Sequence, residues 1–220
     1  MQNIFNILVI LHVAGGATGL ICGTIAAAVV KGRKAHLLNG KIFSAAMIIT
    51  ALSALIMSKL PGHENVFLFA VGGFTLYMVT TGYRIVWLKR NVVANSKPFT
   101  ALDYGLTVFG LLFGLFMLYL CIKMIMTNDL FGIVPGVFGF VCIIYAKMDY
   151  QLLYGKKKIK AAWMRNHIIR MMGALIASYT AFLVVNVQVE MQWILWLLPT
   201  MIGSALITYF IKRFSPKRKT

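Results

Sequence analysis

Seven apolar segments, each about as long as a bilayer is thick, constrain this chain more than any other feature. They cover residues 4–30, 42–60, 66–88, 101–126, 130–147, 167–188 and 192–211. An α-helix needs about 20 apolar residues to cross the hydrocarbon core of a membrane. The composition agrees, since only 12% of the residues are charged whereas soluble domains carry roughly 25%. We therefore predict an all-α fold, with residues 1–220 forming a single membrane domain of seven transmembrane helices.

The positive charges between these segments predict how the helices are oriented. If the N-terminus is outside, 20 of the 22 lysines and arginines lie on the inner side of the membrane, and only Lys59 and Lys123 lie on the outer side. Cytoplasmic loops of membrane proteins carry this excess of positive charge. We predict a multi-pass protein of a bacterial inner membrane, with the N-terminus outside and the C-terminus in the cytoplasm.

The net charge of +17 does not indicate a nucleic-acid-binding protein. The basic residues punctuate the apolar segments and form no basic stripe with interleaved aromatic residues. We expect them to contact the anionic lipids of the inner leaflet instead.

Glycines in the first segment predict a close helix contact. Gly15, Gly19 and Gly23 recur every four residues, and this spacing lets the backbone of a second helix approach closely. Such glycine faces are also candidate surfaces for a homo-oligomer or for a membrane partner.

Ionisable and polar residues inside the apolar segments are the candidate functional residues, because burying them in a membrane is costly. Arg84 and Asp103 form a natural ion pair, since a charge in lipid survives by being paired. We predict a polar site near the cytoplasmic face, with His12 lying separately in the core. The candidate residues of the polar site are His36, His167, Arg84, Asp103, Arg170, Tyr83 and Ser178.

Two of the histidines suggest a cofactor. His36 and His167 both fall at the predicted inner face, and two imidazoles from facing elements can ligate a b-type haem axially. His12 is a further candidate ligand of a haem or a metal ion.

The sequence contains no metal-binding HxxxH or HExxH pair, serine nucleophile elbow, phosphate-binding loop or dinucleotide fingerprint. It therefore does not decide whether the protein is an enzyme. Three hypotheses stay open: a haem- or metal-binding redox protein, a small-molecule or proton-coupled transporter or channel, and a non-catalytic accessory subunit.

Four stretches resemble a known family. They read LHVAGG at 11–16, KAHLLNGKIF at 34–43, TGYR at 81–84 and WMRNHIIRM at 163–171. Together they resemble the bacterial predicted membrane proteins grouped as domain of unknown function 2306. The resemblance covers nearly the whole chain and implies that His12, His36, Arg84 and His167 occupy the pattern positions of that family.

Overall fold

A computed structural model of the chain describes residues 2–93, 99–155 and 159–214. Within these ranges the chain is all-helical, with seven α-helices and one short 3-10 helix, Leu130–Gly132, before the fifth of them. The helices are α1 Gln2–Ala28, α2 Lys34–Met57, α3 Val66–Val93, α4 Ala101–Met126, α5 Ile133–Leu153, α6 Ile159–Asn186 and α7 Trp193–Phe214. All seven are long and apolar enough to cross a membrane.

Two helices begin earlier than the hydropathy predicted. The second span was expected to start at Ile42 and the sixth at His167, but α2 begins at Lys34 and α6 at Ile159. Both helices extend beyond their apolar stretches because the long side chains of Lys and Arg at a helix end can place their charges in polar surroundings. His36 therefore lies in the first turn of α2, where the sequence had indicated a basic loop.

Two of the prolines, Pro135 and Pro199, lie within helices. Pro135 is the third residue of α5, which begins at Ile133. The first residues of a helix have no intrahelical partner for their N–H groups, so a proline there costs no hydrogen bond. Pro199, by contrast, lies inside α7.

Helix α3 lies at the centre of the bundle. It contacts α2, α4, α5 and α6, and its Tyr77, Met78 and Val79 are almost completely buried. Because consecutive helices run in opposite directions, the end of α3 lies beside the starts of α2 and α6. We call this end of the bundle the basic end. Some of the lysines and arginines counted above lie outside the described residues, at positions 97, 156–158 and 217–219.

The GxxxG glycines of α1 face α2 of the same chain. A Cβ atom built on Gly15 would lie 2.6 Å from Thr50 Oγ1, and one on Gly23 would lie 2.8 Å from the Phe43 ring. The predicted close helix contact is thus intramolecular: α1 meets α2 at Gly15, and it meets both α2 and α6 at Gly23, where a Cβ would also lie 2.8 Å from Leu175.

A contact of backbone against backbone joins α4 to α5. A Cβ on Gly139 would lie 2.7 Å from the carbonyl oxygen of Gly114, and one on Gly114 would lie 2.8 Å from the carbonyl oxygen of Gly139. Backbone atoms of a helix cannot rotate away as a side chain can, so the two helices touch directly at these glycines.

We expect Gly139→Ala to lower the stability of the bundle by about 1–3 kcal/mol, the usual cost of overpacking a core. The measurement is the apparent Tm of the purified protein in detergent. Gly105→Ala is the matched control, because nothing lies within 4 Å of a Cβ at that position of α4. Equal Tm values for the two variants would contradict the close backbone contact.

Candidate functional site

The basic end of the bundle contains a cavity of about 420 Å³, bordered by α1, α2, α3, α6 and α7. Sites for small molecules and cofactors usually enclose about 300–1,000 Å³ and have mostly apolar walls. Apolar and aromatic side chains line much of this cavity, among them Phe43, Trp163, Met171 and Leu175. His36 and His167 are also part of its lining.

The ring of His36 is held by the end of α1. Its Nδ1 atom lies 3.0 Å from the carbonyl oxygen of Ala26. The last carbonyls of a helix lack intrahelical donors, so this oxygen is free to accept a hydrogen bond. Because a carbonyl oxygen can only accept, Nδ1 carries the proton, and the neutral ring keeps its lone pair on Nε2.

The ring of His167 is held in the same way by α3. Its Nδ1 atom donates to the carbonyl oxygen of Gly82 at 2.8 Å. The close approach depends on glycine, because a Cβ on Gly82 would lie 2.9 Å from Arg170 Cβ and 3.0 Å from Met171 Sδ. The neutral ring of His167 thus also keeps its lone pair on Nε2.

The two imidazoles share one cavity and one tautomer. A histidine that binds a metal almost always donates its other ring N–H to a carbonyl or carboxylate, which sets the tautomer and the orientation of the ring. Both rings therefore have the hydrogen bonding that a ligating histidine requires.

Lys31 closes the turn between α1 and α2. Its ammonium group donates to the carbonyl oxygens of Ala26, Ala27 and Val29, and it lies 4.6 Å from the centre of the Phe210 ring. Burial lowers the pKa of this amine below its usual value. The contact stabilises the end of α1, where cations are favourable, and keeps the Ala26 carbonyl in place beside His36.

His12 lies apart from this cavity. Its Nδ1 atom contacts the Thr50 carbonyl oxygen at 3.0 Å and Ser53 Oγ at 3.4 Å. It therefore joins α1 to α2, as a hydrogen-bonded structural histidine does. The fourth histidine, His63, stacks on the Phe5 ring with centroids 3.7 Å apart.

Arg84 and Asp103 form an ion pair, as the sequence predicted. The Nε and Nη2 atoms of Arg84 each lie 2.7 Å from one carboxylate oxygen of Asp103. Asp103 also accepts from the backbone N–H of Thr100, and the guanidinium of Arg84 lies over the Trp87 ring. Both oxygens of this carboxylate accept hydrogen bonds, and the pair joins α3 to the start of α4.

A second ion pair was not predicted. Arg170, only 1% exposed, donates to both carboxylate oxygens of Asp149, at 2.5 and 3.1 Å. The Tyr77 hydroxyl donates to the same carboxylate at 2.6 Å. This triad joins α3, α5 and α6 in the interior.

The structure places the residues of the predicted polar site in separate parts of the bundle. His36, His167 and Tyr83 line the large cavity, whereas Arg84 and Asp103 border a small one of about 30 Å³. Arg170 belongs to the buried triad. Ser178 donates to the Ala174 carbonyl oxygen of its own helix and is not a lining residue of the large cavity.

No family model matches the chain, and neither a curated protein nor a solved structure matches it.

Proposed function

We propose that this chain is a membrane haem protein in which His36 and His167 are the axial ligands of one b-type haem. The observation that carries the proposal is the pair of imidazoles lining one apolar cavity, each with Nδ1–H bound to a backbone carbonyl. Two neutral imidazoles and an apolar slot are what a b-type haem requires.

The residues fit a haem better than a bare metal ion. Within 2–93, 99–155 and 159–214, no group of three or more His, Cys, Asp or Glu side chains could hold a metal. A bare transition metal ion generally takes four or more ligands, whereas a haem brings four nitrogen ligands and needs at most two from the protein. When bound, a haem would supply one-electron oxidation and reduction.

The residues of this chain would hold the haem and exclude water from it. Helices α2 and α6 would contribute the ligands, and the carbonyls of Ala26 and Gly82 orient the two rings by accepting from Nδ1. Phe43 and Leu175 belong to the buried core as well as to the cavity wall. These two side chains would provide apolar contacts to the porphyrin ring of the haem.

The visible absorption spectrum tests this proposal. The protein is expressed with haem supplied, purified in detergent, and recorded before and after addition of dithionite. We expect a sharp Soret band that shifts on reduction. A flat spectrum from correctly folded protein would overturn the haem proposal and favour the transport or accessory alternatives.

We further propose that the basic end faces the cytoplasm of a bacterium and the anionic lipids of its inner membrane, and that the chain belongs to the family of domain of unknown function 2306. The distribution of Lys and Arg along the chain and the four sequence stretches described above support these assignments. The positive-inside rule supports the orientation.

Cysteine labelling tests the orientation. In intact spheroplasts, a membrane-impermeant maleimide should label Glu64→Cys, in the turn before α3, and should label Arg33→Cys, in the turn before α2, only after lysis. The unsubstituted protein measures background labelling of Cys22, Cys121 and Cys142. The opposite labelling pattern would place the basic end outside.

A further inference from the structure

The charges around the large cavity are all of one sign. Four of its lining residues are cationic, and none is acidic. The cations are Lys31, Lys41, Lys89 and Arg90. A site lined by one sign of charge and low-dielectric walls attracts ligands of the opposite charge.

The acidic residues of the chain cannot neutralise these cations. The chain has only five, and all five are among the described residues. Asp103 and Asp149 are engaged with Arg84 and Arg170. The other three, Glu64, Asp129 and Glu190, lie in the turns at the opposite end of the bundle.

The four cations differ in how far the protein already engages them. Lys31 donates to the carbonyls that end α1, and Lys89 lies 4.9 Å from the centre of the Trp163 ring. Lys41 of α2 and Arg90 of α3 are exposed. Neither takes part in an ion pair within the described residues. Lys41 and Arg90 are therefore the cations most available to a ligand.

From this arrangement we propose that the cavity selects an amphiphile with an apolar, planar body and two anionic groups, with Lys41 and Arg90 binding the anionic groups. The apolar walls, including the aromatic Phe43 and Trp163, would contact the body. This inference deepens the haem proposal, because a porphyrin with two carboxylates has this chemistry. The inference depends on the charges of Lys41 and Arg90 and not on ligation of iron.

Binding of an iron-free porphyrin tests the inference separately from the haem proposal. The probes are protoporphyrin IX, with two carboxylates, and its dimethyl ester, with none. Their fluorescence is titrated with protein in phosphatidylcholine nanodiscs, and the signal from empty nanodiscs is subtracted. We expect the dicarboxylate to bind at least tenfold more tightly than the ester.

Two pairs of substitutions supply the matched comparison. Lys41→Gln with Arg90→Gln should weaken protoporphyrin IX binding at least tenfold and leave binding of the ester unchanged. Arg33→Gln with Lys34→Gln is the control. It removes the same amount of charge from the basic end of the bundle, but neither residue lines the cavity. This control should change protoporphyrin IX binding less than twofold. Circular dichroism and gel filtration confirm that both double variants are folded.

Three results would overturn the inference. The first is equal binding of ester and dicarboxylate, and the second is an equal effect of the two double variants. The third is displacement of the porphyrin by phosphatidylglycerol but not by phosphatidylcholine, which would show that Lys41 and Arg90 bind anionic lipid headgroups. Selective binding of protoporphyrin IX without a haem spectrum would support this inference while the haem proposal fails.

Discussion

Replacing either His36 or His167 by alanine should abolish the Soret band of the purified protein. Each substitution removes one of the two imidazoles that would ligate the proposed haem and leaves a gap in the lining of the cavity. Loss of an outer-shell partner of a metal ligand already costs about 10–100-fold in affinity, and loss of the ligand itself should cost more. The measurement is the ratio of Soret to protein absorbance after purification with haem supplied.

His12→Ala and His63→Ala are the controls for this prediction. Neither residue lines the cavity, so both variants should keep the wild-type spectrum. Loss of the band in His12→Ala with retention in His36→Ala would contradict the assignment of the ligands.

Gly82→Ala tests the outer shell without touching a histidine. A methyl group there would collide with Arg170 Cβ and Met171 Sδ and move α6 away from α3, which would stretch the bond from His167 Nδ1 to the Gly82 carbonyl. We expect weaker haem retention, by about 10–100-fold, and no effect of Gly105→Ala. Unchanged retention in Gly82→Ala would show that this hydrogen bond does not hold the ligand.

The helices of this chain could be predicted from sequence because hydropathy reports directly on the solvent. The stretch 101–126 is predominantly apolar, and α4 occupies those same residues. The start of α2 was missed for the same reason: Lys34, Asn39 and Lys41 are polar, and hydropathy does not distinguish a polar helix end from a loop. This error placed His36 in a loop, although the first turn of α2 is what directs it to the end of α1.

The candidate site was predictable only where a charge had an obvious partner. Arg84 lies towards the end of α3 and Asp103 in the first turn of α4, and the two helices are consecutive in the chain, so their pairing could be predicted. Asp149 lies two residues beyond the predicted fifth segment, 130–147, so hydropathy placed it in a connection, whereas α5 continues to Leu153. One signal was present: an arginine inside an apolar segment needs a carboxylate, and the chain offers only five acidic residues.

The division of the predicted polar site has a similar cause. Spacing along a helix shows which residues share a face, but it does not show which neighbouring helix that face meets. Arg170 follows His167 by less than one helical turn, yet its guanidinium pairs with Asp149 of α5 whereas the His167 ring donates to Gly82 of α3. The distinction depends on the rotation of α6, which the packing of seven helices determines.

Among single substitutions that preserve the shape of the side chain, Asp149→Asn should destabilise the protein most. Arg170 is almost fully buried, and the amide would leave its charge unpaired. Breaking a buried ion pair by removing one partner typically costs 3–5 kcal/mol, which corresponds to a fall in Tm of roughly 6–20 °C for a domain of this size. The measurement is the apparent Tm in detergent, with Glu190→Gln as the control for loss of an acidic charge at an exposed position.

The double variant Asp149→Leu with Arg170→Met separates the charge from the packing. Replacement of a buried ion pair by apolar residues of similar volume is often nearly neutral, so this variant should recover most of the Tm lost in Asp149→Asn. Because Arg170 and His167 lie on the same turn of α6, the single variant should also retain less haem, and the double variant should restore it. If the double variant were as unstable as Asp149→Asn, the triad would act through its hydrogen bonds to Tyr77 and Tyr145 and not through an uncompensated charge.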